Sequence, residues 1–331
     1  RRVANDADTP QEVSHIAQEF RQIRAANPLS VQLGFSVAPS DNINNGSEAD
    51  SFFLEGLDFE FFLPSSSLAL GGVEFSGDVT GTYDLSRGSR HRTQLQAYLF
   101  GRTYALSDRA KEIAPHVAGN DYAMVMFDTS INHRQVWLDV WGPTDVSVHL
   151  GKTWFGGDPL WDYGKLYIGQ TLQLGPRDAL NFDLTAERRY ALNTIQSDTW
   201  IYDISATHSH TFANEDIVTF QVSTTEHRAA YASDSFTDKS ANLNYQFAQP
   251  ILGAAFAASV GIGQKDYEYF SLSLDGRHDQ YISAGANVTL GGVSYLGFSP
   301  TLSLTAKRNI SNVTQFTSSQ VQARIGIQST F

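Results

Sequence analysis

The sequence predicts an all-β fold, a transmembrane antiparallel up-and-down β-barrel of about 14 strands with one short N-terminal helix. Three observations support this prediction. From residue 29 onward, apolar and polar residues alternate, which is typical of strands with one apolar and one polar face. The alternating segments extend over about 10 residues, the length of a tilted membrane-spanning strand. They are separated alternately by short turns and longer loops.

The composition of the chain excludes several classes of protein. Its 331 residues include no cysteine, which excludes disulfide scaffolds, thiolate metal sites and cysteine nucleophiles. The formal net charge is −12, and this acidic balance argues against a nucleic-acid partner, which would require clustered Lys and Arg. The longest apolar stretch, 251–262, is shorter than the about 20 residues of a transmembrane helix. We predict no cofactor.

The first predicted element is a helix. Thr9 and Glu12 have the spacing of a capping box, and Pro10 occupies the first helical position. Apolar residues then recur at the spacing that places them on one helical face. We therefore predict an N-terminal periplasmic helix over residues 1–28, followed by an outer-membrane barrel over residues 29–331.

Fourteen strands follow from the alternation. The last strand is the clearest example, because Val321, Ile325 and Ile327 share one face. Gln322 and Arg324 share the opposite face, so one side suits lipid and the other suits water. An even number of strands is typical of single-chain bacterial barrels. The predicted strands are 29–39, 70–85, 93–104, 121–132, 144–155, 162–174, 179–190, 198–211, 217–228, 237–247, 252–264, 278–291, 299–309 and 317–331.

Short and long connections alternate, as they do between the two ends of an outer-membrane barrel. A soluble β sandwich also alternates apolar and polar residues, but its strands are usually only about 5–6 residues long. The even strand number places both termini on the tight-turn, periplasmic side. Tight turns are predicted at 142–143, 175–178, 213–216 and 249–250, and longer loops near 41–51, 107–120, 191–197, 229–237 and 264–276.

The predicted location is the bacterial outer membrane, and the predicted partners include outer-membrane lipid and lipopolysaccharide. Aromatic side chains favour the headgroup level of a bilayer, so those near strand ends are expected to form girdles. They include Tyr83, Tyr104, Trp154, Trp200, Tyr245 and Phe331.

The polar face of the predicted barrel lines a lumen. One interpretation of its charges is an electronegative, water-filled passage that favours cations or basic protein segments. The other is ion pairing across the lumen that stiffens the wall, and the sequence leaves both open. The predicted lumen charges are Glu74, Asp78, Asp84, Asp128, Asp183, Glu187 and Asp203, with Arg324, Lys165, Lys307 and His149 as basic counterparts.

Histidine positions bear on metal binding and catalysis. His208 and His210 share one strand face, but no third metal ligand lies nearby in the sequence. His149 and several serines are predicted to face the lumen, and a serine hydrolase would need them to converge with an orienting polar group. No glycine-flanked nucleophile motif selects among those serines. We therefore predict no metal site and no enzymatic activity.

The long segment Gly46–Leu70 carries two pairs of adjacent aromatic residues, Phe52 with Phe53 and Phe61 with Phe62. Apolar pairs of this kind are costly in bulk water. We predict that the segment is a plug or cap of the barrel.

Short motifs follow one another in order near the C-terminus. They are Arg277 with Asp279, Gly297 with Pro300, Arg308, Ser311 with Asn312, and the terminal Phe331. This series resembles the C-terminal barrel of the surface lipoprotein assembly modifier (Slam) family. That family has an arginine–aspartate pair, a glycine–x–x–proline turn, a basic–x–x–serine–asparagine stretch and a terminal aromatic residue.

The resemblance implies a translocon that assists the export of lipoproteins or related secreted proteins to the cell surface. It implies that Phe331 is the signal recognised by the barrel-assembly machinery. Family members usually carry a periplasmic domain of tetratricopeptide helices, so the helix over residues 1–28 is expected to be a remnant of that domain. The alternative function is a passive porin-type channel for small solutes.

Overall fold

The structure is a computed structural model that describes residues 27–53, 59–138, 141–194, 196–291, 293 and 297–329. Fourteen antiparallel strands form one closed barrel, which confirms the predicted fold class. Each barrel strand pairs with the next one along the chain, and the first pairs with the last. The barrel strands are β1 (Leu29–Ser40), β4 (Gly72–Arg87), β5 (His91–Leu106), β6 (Met124–Val136), β7 (Pro143–Phe155), β8 (Asp158–Gln173), β9 (Asp178–Ala191), β10 (Thr199–Thr211), β11 (Ile217–Ala229), β12 (Phe236–Gln246), β13 (Ala255–Tyr267), β14 (Arg277–Thr289), β15 (Phe298–Ser311) and β16 (Ser318–Ser329).

Shorter elements lie in the connections. Strands β2 (Ser51–Phe53) and β3 (Glu60–Phe62) form a small hairpin between β1 and β4. Helix α1 (Asp108–Ile113) is capped by Ser107, whose side chain accepts a hydrogen bond from the N–H of Ala110. None of the helices in the described ranges is both long and apolar enough to cross a membrane. Single 3-10 turns occupy Ser65–Ser67, Gly119–Tyr122, Ala232–Asp234 and Thr314–Phe316.

The barrel closes between β1 and β16. Their pairing extends from Gly34 opposite Gln328 to Ser40 opposite Gln322. Closure is required because hydrocarbon contains no water that could hydrogen-bond the N–H and C=O groups of a free sheet edge. The register also fixes which side chains face the lumen, since a one-residue slip would exchange the two faces of a strand.

The outward face of the barrel is apolar along the middle of the strands. Phe35 on β1, Ile204 on β10 and Ile325 on β16 are 68%, 60% and 65% exposed. A continuous band of such residues would be unfavourable in water, but it is the surface that a bilayer requires. The closed barrel with this apolar band is an outer-membrane protein, as the sequence predicts.

The two ends of the barrel differ in their connections. The end at which β1 begins and β16 ends has the connections 88–90, 137–142, 174–177, 212–216, 247–254 and 290–297. The opposite end has the two longest, 41–71 and 107–123. Long loops are typical of the extracellular end, so β1 begins and β16 ends on the periplasmic side. The loop predicted at 264–276 is shorter than expected, because β13 extends to Tyr267.

The predicted N-terminal helix over residues 1–28 lies almost entirely outside the described residues, as does Phe331. The placement of Tyr104 in a lipid-facing girdle is wrong. Tyr104 is 8% exposed and faces inward, because the lipid-facing residues of β5, such as Leu95 and Leu99, occupy the odd positions of that strand.

Asp216 connects two neighbouring periplasmic turns. Its carboxylate accepts hydrogen bonds from the Tyr245 hydroxyl at 2.5 Å, the Ala248 N–H at 2.8 Å and the Asn214 amide at 2.7 Å. These donors, the tyrosine first, hold the pKa of Asp216 below its ordinary value. The ionised carboxylate therefore ties the turn 212–216 to the turn 247–254.

A charge on the outward face of β11 should destabilise the barrel, whereas the same charge on its inward face should have a smaller effect. Val222→Lys places an ammonium group at the lipid-facing middle of the strand. We expect this change to lower the free energy of unfolding by about 2–4 kcal/mol. Gln221→Lys, at the adjacent inward position, is the matched control. Urea-induced unfolding in phospholipid vesicles measures both, and equal losses would contradict the assigned faces.

Candidate functional site

Each charged residue predicted to line the lumen occupies an inward position of its strand. Exposed apolar residues mark the lipid-facing positions of each strand. The register of each strand pair then shows which residues of the neighbouring strand share that face. The acids are Glu74, Asp78 and Asp84 on β4, Asp128 on β6, Asp183 and Glu187 on β9 and Asp203 on β10; the basic groups are His149 on β7, Lys165 on β8, Lys307 on β15 and Arg324 on β16.

Arg324 connects β16 to β1 and β4 across the closure of the barrel. Its guanidinium donates to Ser36 Oγ at 2.8 Å, Ser76 Oγ at 2.9 Å and Glu74 Oε1 at 2.8 Å. Glu74 is 4% exposed and also accepts a hydrogen bond from the Tyr104 hydroxyl at 3.1 Å. The buried carboxylate is thus satisfied by donors in the wall itself.

Asp128 is the centre of a second network, on β6, β7 and β8. Its Oδ1 lies 3.0 Å from His149 Nδ1, and its Oδ2 accepts from the Tyr163 hydroxyl at 2.7 Å. The other ring nitrogen of His149, Nε2, lies 2.9 Å from Ser147 Oγ. The Tyr163 ring crosses Gly151 on its way to Asp128, and a Cβ at position 151 would lie 2.3 Å from that ring. Glycine at this position is what allows the contact.

The acids of β9 and β10 also have partners in the wall. Asp183 accepts from the Tyr167 hydroxyl at 2.5 Å, and Glu187 forms an ion pair with Arg189 at 2.5 Å. Asp203 accepts from a threonine hydroxyl of β11 at 2.7 Å. These partners lie on the same strand or on an adjacent one.

Most of these lumen acids therefore have hydrogen-bond or ion-pair partners within the wall. This geometry favours the interpretation in which ion pairs and hydrogen bonds stiffen the barrel, although they join strands that are adjacent or one strand apart and do not cross the lumen. Asp78 has a different environment. Its carboxylate lies over Gly34, where a Cβ would be 2.2 Å from Oδ1.

The paired histidines of β10 face outward near the periplasmic end. His208 Nε2 and His210 Nδ1 lie 3.2 Å and 2.8 Å from the same oxygen of Asp178. Within the described ranges, no group of three or more His, Asp or Glu side chains is arranged to hold a metal ion.

Two asparagines fix the base of the segment Gly46–Leu70 at the extracellular end. Asn42 is 1% exposed; it accepts from the Gly46 N–H at 2.8 Å and donates to the Ser319 carbonyl at 3.0 Å. Asn44 accepts from the Leu70 N–H at 3.0 Å and donates to the Leu68 carbonyl at 2.8 Å. The two ends of the segment are thereby tied to each other and to β16.

A small hydrophobic core lies beside this base. Tyr104 and Leu106 contribute inward-facing side chains of β5, each 8% exposed. Ile43 and Leu70 pack against them, together with two alanines in and next to α1. Because Tyr104 and Leu106 point into the lumen, the base of the segment folds inward over one side of the mouth.

The tip of the segment carries the four phenylalanines that the sequence singles out. Phe52 stacks on Phe61 with ring centroids 5.6 Å apart, across the β2–β3 hairpin. Phe53 and Phe62 are 66% and 74% exposed. Residues 54–58, between the two strands, lie outside the described part of the chain.

Several residues of the family-like series meet at the extracellular ends of β14 and β15. Arg277 Nε donates to Asp279 at 2.9 Å, and both side chains are nearly buried. Asn312 accepts from the His278 N–H at 2.7 Å and donates to the Gly276 carbonyl at 3.1 Å. The end of β15 is thereby fixed to the start of β14.

The remaining residues of that series occupy other places. Ser311 lies opposite Asp279 in the β14–β15 ladder. Arg308 is on the outward face of β15, whereas Gly297 and Pro300 lie at the periplasmic end. Gly297 has φ of 81°, a conformation that favours glycine. The series therefore occupies both ends of neighbouring strands and does not form one site.

Aromatic rings surround the Arg277 guanidinium. Its central carbon lies 3.4 Å from the ring centroid of Phe316, 4.6 Å from that of Tyr267 and 5.7 Å from that of Phe270. Cation–π contacts of this kind contribute about 0.5–2 kcal/mol each, more where the cation is desolvated. They hold the loops 268–276 and 312–317 against the end of β14.

Ser147 and Tyr163 belong to the Asp128 network, but neither is among the residues predicted from the sequence. The Ser-x-His spacing of 147 and 149 is a signal from which Ser147 could have been predicted, because residues two apart on a strand share a face. The sequence contains no comparable signal for Tyr163. Its contact with Asp128 depends on the register of two successive ladders.

No family model and no curated protein matches this sequence. Similar solved structures include OccAB3 of Acinetobacter baumannii, at 8% identity and a TM-score of 0.48 over 93% of this chain and 99% of that chain. A loop L8 deletion mutant of OmpT, an outer membrane protein of Vibrio cholerae, has 8% identity and a TM-score of 0.45 over 92% and 99%. An anion-selective porin from Comamonas acidovorans has 12% identity and a TM-score of 0.41 over 92% and 100%. Likenesses at this level carry no functional information.

Removal of Arg324 should destabilise the barrel strongly. Arg324→Met leaves the buried Glu74 carboxylate without its charged partner, and we expect a loss of about 3–5 kcal/mol in the free energy of unfolding. Adding Glu74→Gln to this variant should recover most of the loss, because the neutral amide needs no cation. Lys307→Met, which removes a lumen cation lying 5.1 Å from the Tyr281 ring, is the control and should cost much less. A double variant as unstable as Arg324→Met would refute the pairing.

Proposed function

We propose that this barrel is an outer-membrane translocon of the surface lipoprotein assembly modifier type, which assists the export of lipoproteins or related proteins to the cell surface. The observation that carries the proposal is a partly covered extracellular mouth. Residues 48–53 and 59–67, which we call the cover, are held at one side of the mouth by a base in which Ile43 and Leu70 bury the lumen-facing Tyr104 and Leu106. A barrel that conducts proteins must remain closed between substrates, whereas free diffusion of solutes requires no cover.

The cover is attached to the loops that carry the family-like residues. The Glu48 N–H donates to the Thr317 carbonyl at 3.0 Å, and the same loop presents Phe316 to Arg277. The Tyr122 hydroxyl, from the other long loop, donates to the backbone of the segment at 3.3 Å. Because the cover is hydrogen-bonded to both loops, a substrate that displaces either loop would also displace the cover.

The lumen wall suits the passage of a polypeptide. Most of its acids accept hydrogen bonds or form ion pairs within the wall. A conducting path must bind its cargo weakly enough for the cargo to leave. A polar wall whose acids are largely engaged by neighbouring wall groups meets this requirement for substrates of varied sequence.

The exposed phenylalanines of the tip supply an apolar surface at the mouth. Phe53 and Phe62 are largely exposed on the side from which a substrate would emerge. Exposed apolar surface of this kind is typical of protein contact sites. We infer that the hairpin tip contacts the emerging polypeptide.

A passive channel for small solutes is the alternative, and the polar lining of the lumen would serve that function as well. The two functions differ in what the cover does. In a translocon the cover blocks the resting lumen, and in a passive channel it leaves a steady conductance.

Removal of the cover should open the lumen. The shortest deletion that preserves the base joins Ser47 to Leu68 through two glycines, because these residues already lie side by side. We expect low conductance in planar bilayers from the intact barrel and a steady, larger conductance from the deletion variant. The double variant Phe53→Ser and Phe62→Ser, which keeps the segment, should stay closed. Equal conductance of the intact and deleted barrels would contradict the gating role.

Export of a lipoprotein should depend on the tip as well as on the barrel. Cells that produce the intact chain and a lipoprotein encoded beside it should display that lipoprotein on the surface, as measured by protease shaving of whole cells. Phe53→Ser with Phe62→Ser should lower the displayed fraction severalfold without changing the amount of barrel in the membrane. Full display in cells that lack the barrel would refute the translocon function.

A further inference from the structure

A groove lies on the outward face of the barrel, near the extracellular ends of β12 to β15. It has a volume of about 570 Å³, which is within the range of sites that bind small organic molecules. Ile262 and Ile282 in its lining are 60% and 56% exposed, as expected of lipid-facing side chains. The groove therefore opens to the bilayer and not to the lumen.

The strand register arranges the outward side chains of the groove in two successive rows, each of which crosses all four strands. The upper row, nearer the extracellular end, is Lys239, Gln264, Gln280 and Ile310. The lower row is Ala241, Ile262, Ile282 and Arg308. The upper row is thus mainly polar, and the lower row is mainly apolar.

The outward row beneath the groove is entirely apolar. It consists of Leu243, Val260, Ala284 and Ala306. The change from polar to apolar side chains therefore takes place within the groove, which puts the groove at the level where headgroups meet acyl chains. Arg308 is long enough to cover apolar surface with its stem while its guanidinium reaches the headgroups.

Lys239 and Arg308 differ from other cations near the extracellular end of the outward face. Three of those cations form ion pairs with acids, at 3.1, 2.8 and 2.7 Å. These pairs are Lys152 with Asp162, Arg188 with Asp198 and Arg228 with Glu226. Among the described residues, no acid forms an ion pair with Lys239 or Arg308, and none lines the groove. Two cations in such a setting are complementary to an anionic ligand.

One acid, Asp266, lies on the same face above the upper row. Its carboxylate accepts hydrogen bonds at 2.9 Å from the Gln264 amide and lies 2.8 Å from His278 Nδ1. Asp266 therefore has partners of its own, and it does not line the groove. Because two cations lie below this one acid, the surface around the groove has a net positive charge.

The separation of the two cations indicates the kind of anion. Lys239 and Arg308 belong to strands that are three strand spacings apart, about 14 Å along the wall. This separation suits two anionic groups at opposite ends of one ligand better than a single anion between them. The amides of Gln264 and Gln280 lie between the cations, where they can bind hydroxyl groups.

We propose that the groove binds lipid A, the acylated glucosamine disaccharide of lipopolysaccharide, with one of its two phosphates on Lys239 and the other on Arg308. The sugars lie across Gln264 and Gln280. The acyl chains descend over the lower row, where the small side chain of Ala241 leaves room for them. This inference is independent of the proposed translocon function, because a translocon and a passive channel would face the same outer leaflet.

Native mass spectrometry with bisphosphorylated, hexaacylated lipid A tests the two cations. The full-length barrel is refolded in detergent from inclusion bodies, so that it contains no lipid of the cell. We expect the barrel to retain one lipid A molecule. Lys239→Gln and Arg308→Gln should each weaken binding about fivefold, and the double variant about 25-fold, because the two positions are too far apart to interact directly.

Lys152→Gln is the matched control for these variants. Lys152 is also an outward cation three residues from the extracellular end of its strand, but it has an acidic partner. This variant should bind lipid A as the intact barrel does. Equal binding by the intact barrel and the double variant, or an equal loss in Lys152→Gln, would overturn the proposal.

Other ligands in the same assay identify the chemistry that is recognised. Monophosphorylated lipid A should bind the intact barrel about fivefold more weakly than the bisphosphorylated form. In one of the two single variants the two forms should bind equally, because the cation for the missing phosphate is already absent. Equally tight retention of phosphatidylglycerol would make the groove a general anionic-lipid surface, and displacement of lipid A by millimolar inorganic phosphate would make it a phosphate site. Either result would refute the proposal.

A change of shape without a change of charge tests the acyl chains. Ala241→Phe fills the lower row of the groove and should weaken lipid A binding severalfold. Leu243→Phe, one row below the groove on the same strand, is the control and should have no effect. Heat-modifiable electrophoretic mobility verifies that each variant is folded. Unchanged binding by folded Ala241→Phe would overturn the placement of the chains, whatever the state of the extracellular cover.

Discussion

The structure depends first on the requirement that every backbone N–H and C=O group in hydrocarbon find a partner. A free edge of the sheet would leave a row of such groups unpaired, at a cost of several kcal/mol each. The pairing of β1 with β16 removes that edge. Closure then places about half of the strand side chains in an enclosed interior. The polar side chains among them must find hydrogen-bond or ion-pair partners there.

Many polar groups of the interior find their partners within the wall. Tyrosine hydroxyls donate to carboxylates at several places: Tyr104 to Glu74, Tyr163 to Asp128 and Tyr167 to Asp183. A tyrosine is long enough to cross a neighbouring position, provided that the position is small. Gly151, beneath Tyr163, shows why glycine occurs singly along these strands. The wall is thereby cross-linked by side chains as well as by its backbone ladders.

The fold could be predicted because the alternation of apolar and polar residues repeats along every strand. The candidate site was harder to predict because its side-chain contacts follow no repeating pattern in the sequence. Alternation identifies β16 from the sequence, since a lipid face and a water face must follow one another along every strand. The inward position of Asp128 follows from the same rule. Its contact with Tyr163 does not, because that contact needs the register of two ladders. The burial of Tyr104 under Ile43 likewise depends on how a long loop folds back, for which local sequence gives no pattern.

The same requirement gives the carboxylates of the wall partners of different types. Glu74 accepts from the guanidinium of Arg324, and Asp183 accepts from the hydroxyl of Tyr167. Asp128 lies against the imidazole of His149 instead, and a serine hydroxyl lies against the far nitrogen of that ring. The type of residue that faces the carboxylate therefore differs from network to network, in a wall whose backbone geometry is repeated from strand to strand.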